Sequence, residues 1–217
     1  SYNQREPLRS LIPPSLRGGK TEPWPVYNLA TARKLFQQAG YCSGRRLQLP
    51  FTFRTNVPSD RLMALTWQAQ LKRDLPNCIQ MTLNGMESAM AYEQLSKGSL
   101  EAVILDWGGS YPDPEAYITP LLSCKRSEGN ICEKGEAVDG GTFWTAPGLQ
   151  TALRRSDSLQ GKARLKELAT VDAMAAEGAP YIPVWFVAPK AWAQLRLNPP
   201  IFNGNGLVNL AQLGERR

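Results

Sequence analysis

The feature that most constrains the fold is Ala102-Val-Ile-Leu105, four apolar residues in a row that run straight into Asp106 and two glycines. A strand with one wet face alternates apolar and polar residues. An unbroken apolar run of strand length instead suits a strand covered on both faces, as in a parallel sheet. Parallel neighbours need crossover connections, and the preceding sequence supplies them. Leu47 to Phe53 alternates, with Leu47, Leu49, Phe51 and Phe53 on one face, and Ile79, Met81 and Leu83 repeat the pattern. Between them, Ser59 is placed to cap a helix from Asp60 to about Arg73. Its two apolar stripes, Leu62-Leu65-Ala69 and Met63-Trp67-Leu71, read as core. Asn28 caps an earlier helix from Leu29 to Ala39 that stops at Gly40, and a short helix from Ala91 to Lys97 stops at Gly98. The order strand, helix, strand, helix, strand, helix implies an α/β fold, a mixed β-sheet with helices packed on it.

Beyond Leu105, Pro114 suits the first turn of a helix capped by Asp113 and continuing to Leu122. Helices follow over Pro147 to Arg155 and Gln160 to Ala176, the second with Leu165, Leu168, Val171 and Ala175 facing inward. Tyr181 to Val187 and Ala191 to Leu195 read as late strands, and Asn203-Gly-Asn-Gly206 as a turn. Residues 1–26, rich in Pro, Gly and charge, read as a connecting segment, 27–197 as the folded lobe, and 198–217 as a return segment.

No apolar run approaches the roughly 20 residues that span a bilayer. Ser1 to Glu6 is polar and lacks the apolar core of a signal peptide. The net charge of +6 is spread over isolated basic pairs such as Arg45-Arg46 and Lys72-Arg73, with no aromatic-interleaved block, so no nucleic-acid partner is expected. Histidine is absent, which removes the commonest general base and metal ligand and excludes Ser-His-Asp and Cys-His chemistry. A carboxylate pair among Asp106, Asp113 and Glu115 is too common a coincidence to carry catalysis. No enzyme activity, cofactor or metal is expected. Cys124 and Cys132 bracket a polar loop of the kind a local disulfide closes. Cys42 and Cys78 each precede a strand, and parallel neighbours would bring their sulfurs to one sheet end; the alternative is free buried thiols. The even count and loop placement point to an oxidising compartment.

At Asp106 to Pro114 a strand's carboxyl end meets Gly108 and Gly109, where a ligand or another backbone can approach because no Cβ intervenes. Trp107 and Tyr111 flank them as apolar walls. Ligand sites of open α/β sheets gather at such strand ends; the competing reading is a tight turn with a core tryptophan and a helix cap.

Trp107-Gly-Gly-Ser-Tyr-Pro-Asp-Pro114 resembles the Trp-x-x-Asp-Tyr-x-Asp-Pro signature of the family 5 extracellular solute-binding proteins, the dipeptide, oligopeptide and nickel binders. Three further segments resemble that family in order. They are Leu11-Ile-Pro-Pro-Ser-Leu-Arg-Gly18, the stretch Tyr27 to Tyr41 (similar to "YDPEKAKALLAEAGY"), and Ala179-Pro-Tyr-Ile-Pro-Val-Trp185. The resemblance implies the large second lobe, domain III, of a two-lobed clamp: solute binds in the cleft, the lobes close, and the closed form docks on an ABC permease in the membrane. It implies a periplasmic or extracytoplasmic location, either free or anchored through a segment upstream, and a first lobe as partner. In peptide binders the signature's first Asp holds the ligand's α-amino group. Ser110 stands there in this chain, so Asp106 or Asp113 must take over for a peptide, or the solute is an oligosaccharide, an opine or a metal chelate. Arg54, at the end of its strand, aligns with an arginine that some dipeptide binders use for the ligand's carboxylate; otherwise it reads as a surface arginine. Trp107, Gly108, Gly109, Ser110, Tyr111, Arg54 and Asp106 are the candidate ligand-binding residues. A cytoplasmic sensor lobe is the remaining alternative, and the cysteine pattern argues against it.

Overall fold

The computed structural model describes residues 5–17, 22–204 and 206–216. Gly18 of the resembling entry segment and Asn205 of the turn lie outside them. The elements run β1 (Arg5–Pro7), α1 (Leu29–Gln38), β2 (Leu47–Arg54), α2 (Pro58–Asp74), β3 (Ile79–Met86), α3 (Ser88–Ser96) and β4 (Ala102–Val103). There follow α4 (Thr119–Leu122), β5 (Arg126–Glu128), β6 (Ile131–Lys134), α5 (Glu136–Asp139), α6 (Leu149–Asp157), α7 (Gly161–Gly178) and β7 (Trp185–Val187), with 3-10 turns at Pro114–Tyr117 and Leu210–Gln212. The fold is α/β, and the chain divides into two compact units.

The unit made of Pro25–Asp106 and Cys124–Trp144 holds a three-stranded parallel sheet of order β3-β2-β4. β2 and β3 pair along their whole length, from Leu47 opposite Ile79 to Arg54 opposite Met86. Phe51 meets Trp67 of α2 edge-on at 5.3 Å between centroids, so the Met63-Trp67-Leu71 stripe is the one that turns toward the sheet. The other stripe does not: Leu62 is 65% and Leu65 47% exposed. The correction has a simple cause, since a single-layer sheet covers only one side of a helix. Val57, not Ser59, is the N-cap of α2; Pro58 opens the helix with its fixed φ, and no side-chain cap bond forms. Asn28 does cap α1, its Oδ1 accepting the Thr31 N–H at 2.9 Å. β4 is shorter than the apolar run, although the Ile104 N–H still donates to the Thr52 carbonyl at 3.1 Å and extends the ladder by one residue.

Both cysteine pairs are disulfides and none of the four is free. Cys42–Cys78 closes the sheet end at which the Leu47 N–H donates to the Cys78 carbonyl, next to a cluster of Leu75, Cys78 and Ile79 covered by Leu29, Phe36 and Leu71. Cys124–Cys132 ties the antiparallel β5–β6 ribbon.

The second unit comprises Ser1–Trp24, Trp107–Ser123 and Thr145–Arg217. Its core is helical: Ile118, Leu122, Leu149, Leu168 and Val171 are fully buried, while Leu165 of α7 is only half-buried. The segment 1–26 does more than connect. β1 pairs antiparallel with β7, and Ser10, Ile12 and Trp24 are buried. The buried Asp172 of α7 accepts from the Ser10 hydroxyl at 2.7 Å and the Leu11 N–H at 2.9 Å. Its desolvation raises the carboxyl above the ordinary aspartate value, against those two hydrogen bonds and the charge of Arg17. The helix expected from Pro114 to Leu122 is broken at Ile118 into a 3-10 turn and α4; Pro120 has no N–H to donate to the carbonyl of Ala116 four residues back, so a continuous helix would lack that bond. Of the late strands only Trp185–Val187 forms, and 191–195 has no strand.

Candidate functional site

The segment after β4 folds back on itself through its own side chains. Asp113 Oδ1 accepts the Glu115 N–H at 2.8 Å and caps the 3-10 turn. Both of its oxygens also receive Nη1 of Arg164 on α7, at 2.9 and 2.8 Å. Arg164 Nη2 lies 3.8 Å from Glu115, and the Tyr111 hydroxyl donates to Glu115 at 2.6 Å. That hydrogen bond, with lesser contributions from burial and the charges of Glu115 and Asp113, pushes the Tyr111 phenol up to about 12, so it stays a neutral donor. Trp107 Nε1 donates to the Ala116 carbonyl at 3.0 Å, fixing the indole across the turn.

These bonds leave a defined outer surface. Trp107 and Tyr111 are about half exposed, and Gly108 and Ser110 are exposed. The two glycines differ. A Cβ on Gly109 would sit 2.5 Å from the Tyr117 ring, so its empty side is filled by the chain's own aromatic; nothing lies within 4 Å of the equivalent point on Gly108. Close approach from outside is therefore open at Gly108 and closed at Gly109. Asp113, named as a substitute for the acid absent at position 110, is engaged as a cap and by Arg164.

In the sheet unit, Arg54 is not a surface arginine. It is 5% exposed, and its Nε donates to the buried Asp60 at 2.7 Å. Nη1 donates to the Tyr92 hydroxyl at 3.1 Å, and Nη2 pairs with Asp106. Burial alone would lower the guanidinium's pKa; the carboxylates of Asp60 and Asp106 outweigh it and hold the pKa above the ordinary value. The three charges sum to −1. Asp60 is sealed, so the excess charge is presented by Asp106, whose side chain is 81% exposed. A ligand carboxylate would have to displace one of two acids from Arg54, which removes the structural basis for the direct contact expected of it. The sequence reading missed Asp60, Tyr92, Tyr117 and Arg164, and named Glu115 only among carboxylates too common to carry catalysis. Only Asp60 left a trace, as an acid in the first turn of a proline-started helix six residues after Arg54. Among the described residues no cluster of three or more metal-ligating side chains occurs, and no helix is long and apolar enough to cross a membrane.

The family description "Bacterial extracellular solute-binding proteins, family 5 Middle" matches residues 1–129, more than half of the chain. The chain belongs to this family. A di/tripeptide-binding protein of Pseudomonas aeruginosa is 25% identical over 181 residues, which cover 79% of this chain and 31% of that protein. Among solved structures, a dipeptide-binding protein from Pseudoalteromonas in complex with Met-Leu superposes with a TM-score of 0.78 at 19% identity, over 99% of this chain and 41% of its own. OppA of Haemophilus influenzae, in complex with the peptide RPPGFSPFR, gives a TM-score of 0.70 at 16% identity over 84% of this chain and 35% of its own. These solved structures share the fold of the family 5 chain, which spans only about a third to two fifths of the relatives it matches. The family's named relatives are binding proteins of transport systems rather than enzymes.

Proposed function

We propose that this family 5 chain is the solute-binding lobe of an extracytoplasmic ABC-transporter binding protein that captures peptides or peptide-like solutes. Capture is by closure of a two-lobed cleft, and the closed form hands its solute to a membrane permease. The observation that supports this best is the superposition of nearly the whole chain on a dipeptide-binding protein that holds Met-Leu. The strand-end surface is suited to the task. Trp107 and Tyr111 offer ring faces, Gly108 admits an extended backbone, and the Ser110 hydroxyl can donate or accept. Asp106 is the exposed carboxylate available to a cationic group, and Arg54 acts by holding it rather than by touching ligand. The two disulfides support an oxidising, extracytoplasmic compartment and weigh against a cytoplasmic sensor. The protein is free in that compartment or anchored by a segment outside this chain.

One observation favours a second reading, a non-peptide solute. Position 110 carries a neutral hydroxyl, and a buried ammonium without a paired acid is costly. The test is to purify the intact protein from its natural host, denature it gently, and identify the co-purified small molecule by mass spectrometry. A set of short peptides supports the peptide reading. A single oligosaccharide, opine or chelate sinks it and keeps the transport role. An empty protein whose melting temperature no peptide or sugar shifts overturns both.

A further inference from the structure

Three of the candidate site residues are fastened to one short element. The Trp107 indole N–H donates to the Ala116 carbonyl at 3.0 Å, and the Tyr111 hydroxyl donates to Glu115 at 2.6 Å. The empty side of Gly109 is filled by the Tyr117 ring, 2.5 Å from where a Cβ would stand. Glu115, Ala116 and Tyr117 all belong to the 3-10 turn Pro114–Tyr117. The orientation of the site's walls is therefore set by the orientation of this turn.

A four-residue turn does not hold itself in place. Asp113 Oδ1 caps it by accepting the Glu115 N–H at 2.8 Å, and Pro114 and Ala116 are buried. Its ionic tether comes from α7, in the same compact unit. Arg164 Nη1 donates to both oxygens of Asp113, at 2.9 and 2.8 Å. Arg164 Nη2 lies 3.8 Å from the same Glu115 oxygen that accepts the Tyr111 hydroxyl. Arg164 is the fourth residue of α7, where the helix dipole disfavours a cation, so the helix itself does not account for an arginine there. A planar fork serves two acids at once, as the point charge of a lysine cannot.

Cap and tether are separable. Loss of Arg164 leaves the Asp113 cap and the burial of Pro114 and Ala116, so the turn still forms. It removes the cation shared by the two acids, and Glu115 can then turn to water and release the Tyr111 hydroxyl. We infer that Arg164 is a positioning residue for solute binding: from α7, without touching solute, it holds the 114–117 turn, and through it the rings of Trp107 and Tyr111, in the arrangement that meets the solute. Walls ordered before binding spare the solute the cost of ordering them. The inference rests on the strand-end surface being the solute site, as proposed above, and not on the solute being a peptide.

The test uses the intact protein with isotope-labelled tryptophan. The Trp107 indole N–H resonance is assigned by its loss in Trp107→Phe, and calorimetric titration uses the dipeptide Met-Leu, the compound held by a superposing relative. Arg164→Met should displace the Trp107 resonance and weaken Met-Leu binding about tenfold, as expected when two aromatic side chains must be ordered on binding. Arg164→Lys keeps a cation beside Asp113 and guards against a variant that fails to fold; it should move the resonance in the same direction. Arg155→Met is the control, because it removes an ion pair to Glu167 of α7 that does not involve the turn, and it should leave resonance and affinity unchanged. Tyr111→Phe keeps the ring without its tether, so adding it to Arg164→Met should weaken Met-Leu by less than about a further twofold. An unmoved Trp107 resonance in both Arg164 variants, an equal change in Arg155→Met, a moved resonance with unchanged Met-Leu affinity, or a double variant whose loss is the product of its singles overturns the inference. If the unmodified protein does not bind Met-Leu, the peptide reading alone is lost, and the Trp107 resonance still decides this inference.

Discussion

Arg54 serves two carboxylates of opposite accessibility, and that contrast gives a sharp prediction. Asp60 has a side chain 5% exposed, whereas Asp106 is 81% exposed, and both pair with the same guanidinium. Replacing Arg54 by Met keeps most of the apolar stem but leaves Asp60 buried without its cation. Removing one partner of a buried pair costs about 3–5 kcal/mol. The Asp106 pair is at the surface, where ion pairs contribute about 0–1 kcal/mol. Arg54→Met should therefore lower unfolding stability by about 3–5 kcal/mol, and Asp106→Asn by no more than about 1 kcal/mol. The double variant Arg54→Met, Asp60→Leu exchanges the pair for apolar groups and should recover most of the loss. Urea denaturation of the intact protein, followed by tryptophan fluorescence with Trp67 beside the sheet, measures these variants together with the single Asp60→Leu, which closes a double-mutant cycle. If Arg54→Met costs under about 1 kcal/mol, or if the double variant is as unstable as the sum of its singles, the charges are not coupled and the reasoning fails.

Three further outcomes follow from the same structure. Breaking Cys42–Cys78, which spans 36 residues, should cost about 4 kcal/mol, and breaking Cys124–Cys132, which spans 8, about 2.5 kcal/mol by loop-closure entropy; paired serine variants compared by urea midpoint check the order. Gly109→Ala must displace the Tyr117 ring and should lose about 1–3 kcal/mol, while Gly108→Ala should leave stability within about 0.5 kcal/mol yet weaken solute binding, a split read by denaturation against calorimetry. Asp172 has its folded pKa raised by burial, so its contribution is complete at pH below its unfolded value and is lost as pH rises through the folded one. Carboxylates held low by cations, such as Glu22, Asp74 and Glu93, act in the opposite direction. Asp172→Asn should thus steepen the rise of stability from acid to neutral pH, seen in urea midpoints between about pH 4 and 7; an unchanged slope would refute the role given to burial.

What was legible in the sequence was what local physics decides. Asn28 capping α1, the glycine stops at 40 and 98, and the parallel pairing of Leu47–Phe53 with Ile79–Leu83 each depend on residues within a few positions, or on a period of two. That pairing made the Cys42–Cys78 bridge possible without deciding it against free thiols, and the disulfide is formed. Where the reading failed, a distant element had intervened. The Leu62-Leu65-Ala69 stripe is chemically as good a core face as its neighbour, and only the single sheet decides which is covered. The apolar residues 191–195 resemble a strand, but a strand needs a partner, and the described chain offers none there.

The candidate site divides along the same line. Its position at a strand's carboxyl end could be read from the apolar run that stops at Asp106, and the ring walls from Trp107 and Tyr111. The roles of its charges could not. An arginine at the end of a strand has the same local sequence whether it greets a ligand or holds an acid in place. In this molecule the difference is made by Asp60, which arrives on the next helix, and by Tyr92, which arrives on the one after. Those partners leave the Arg54 cluster with one exposed charge, the carboxylate of Asp106. Of the two roles the sequence offered in this region, Arg54 for a carboxylate and Asp106 for an amine, the pairing favours the second.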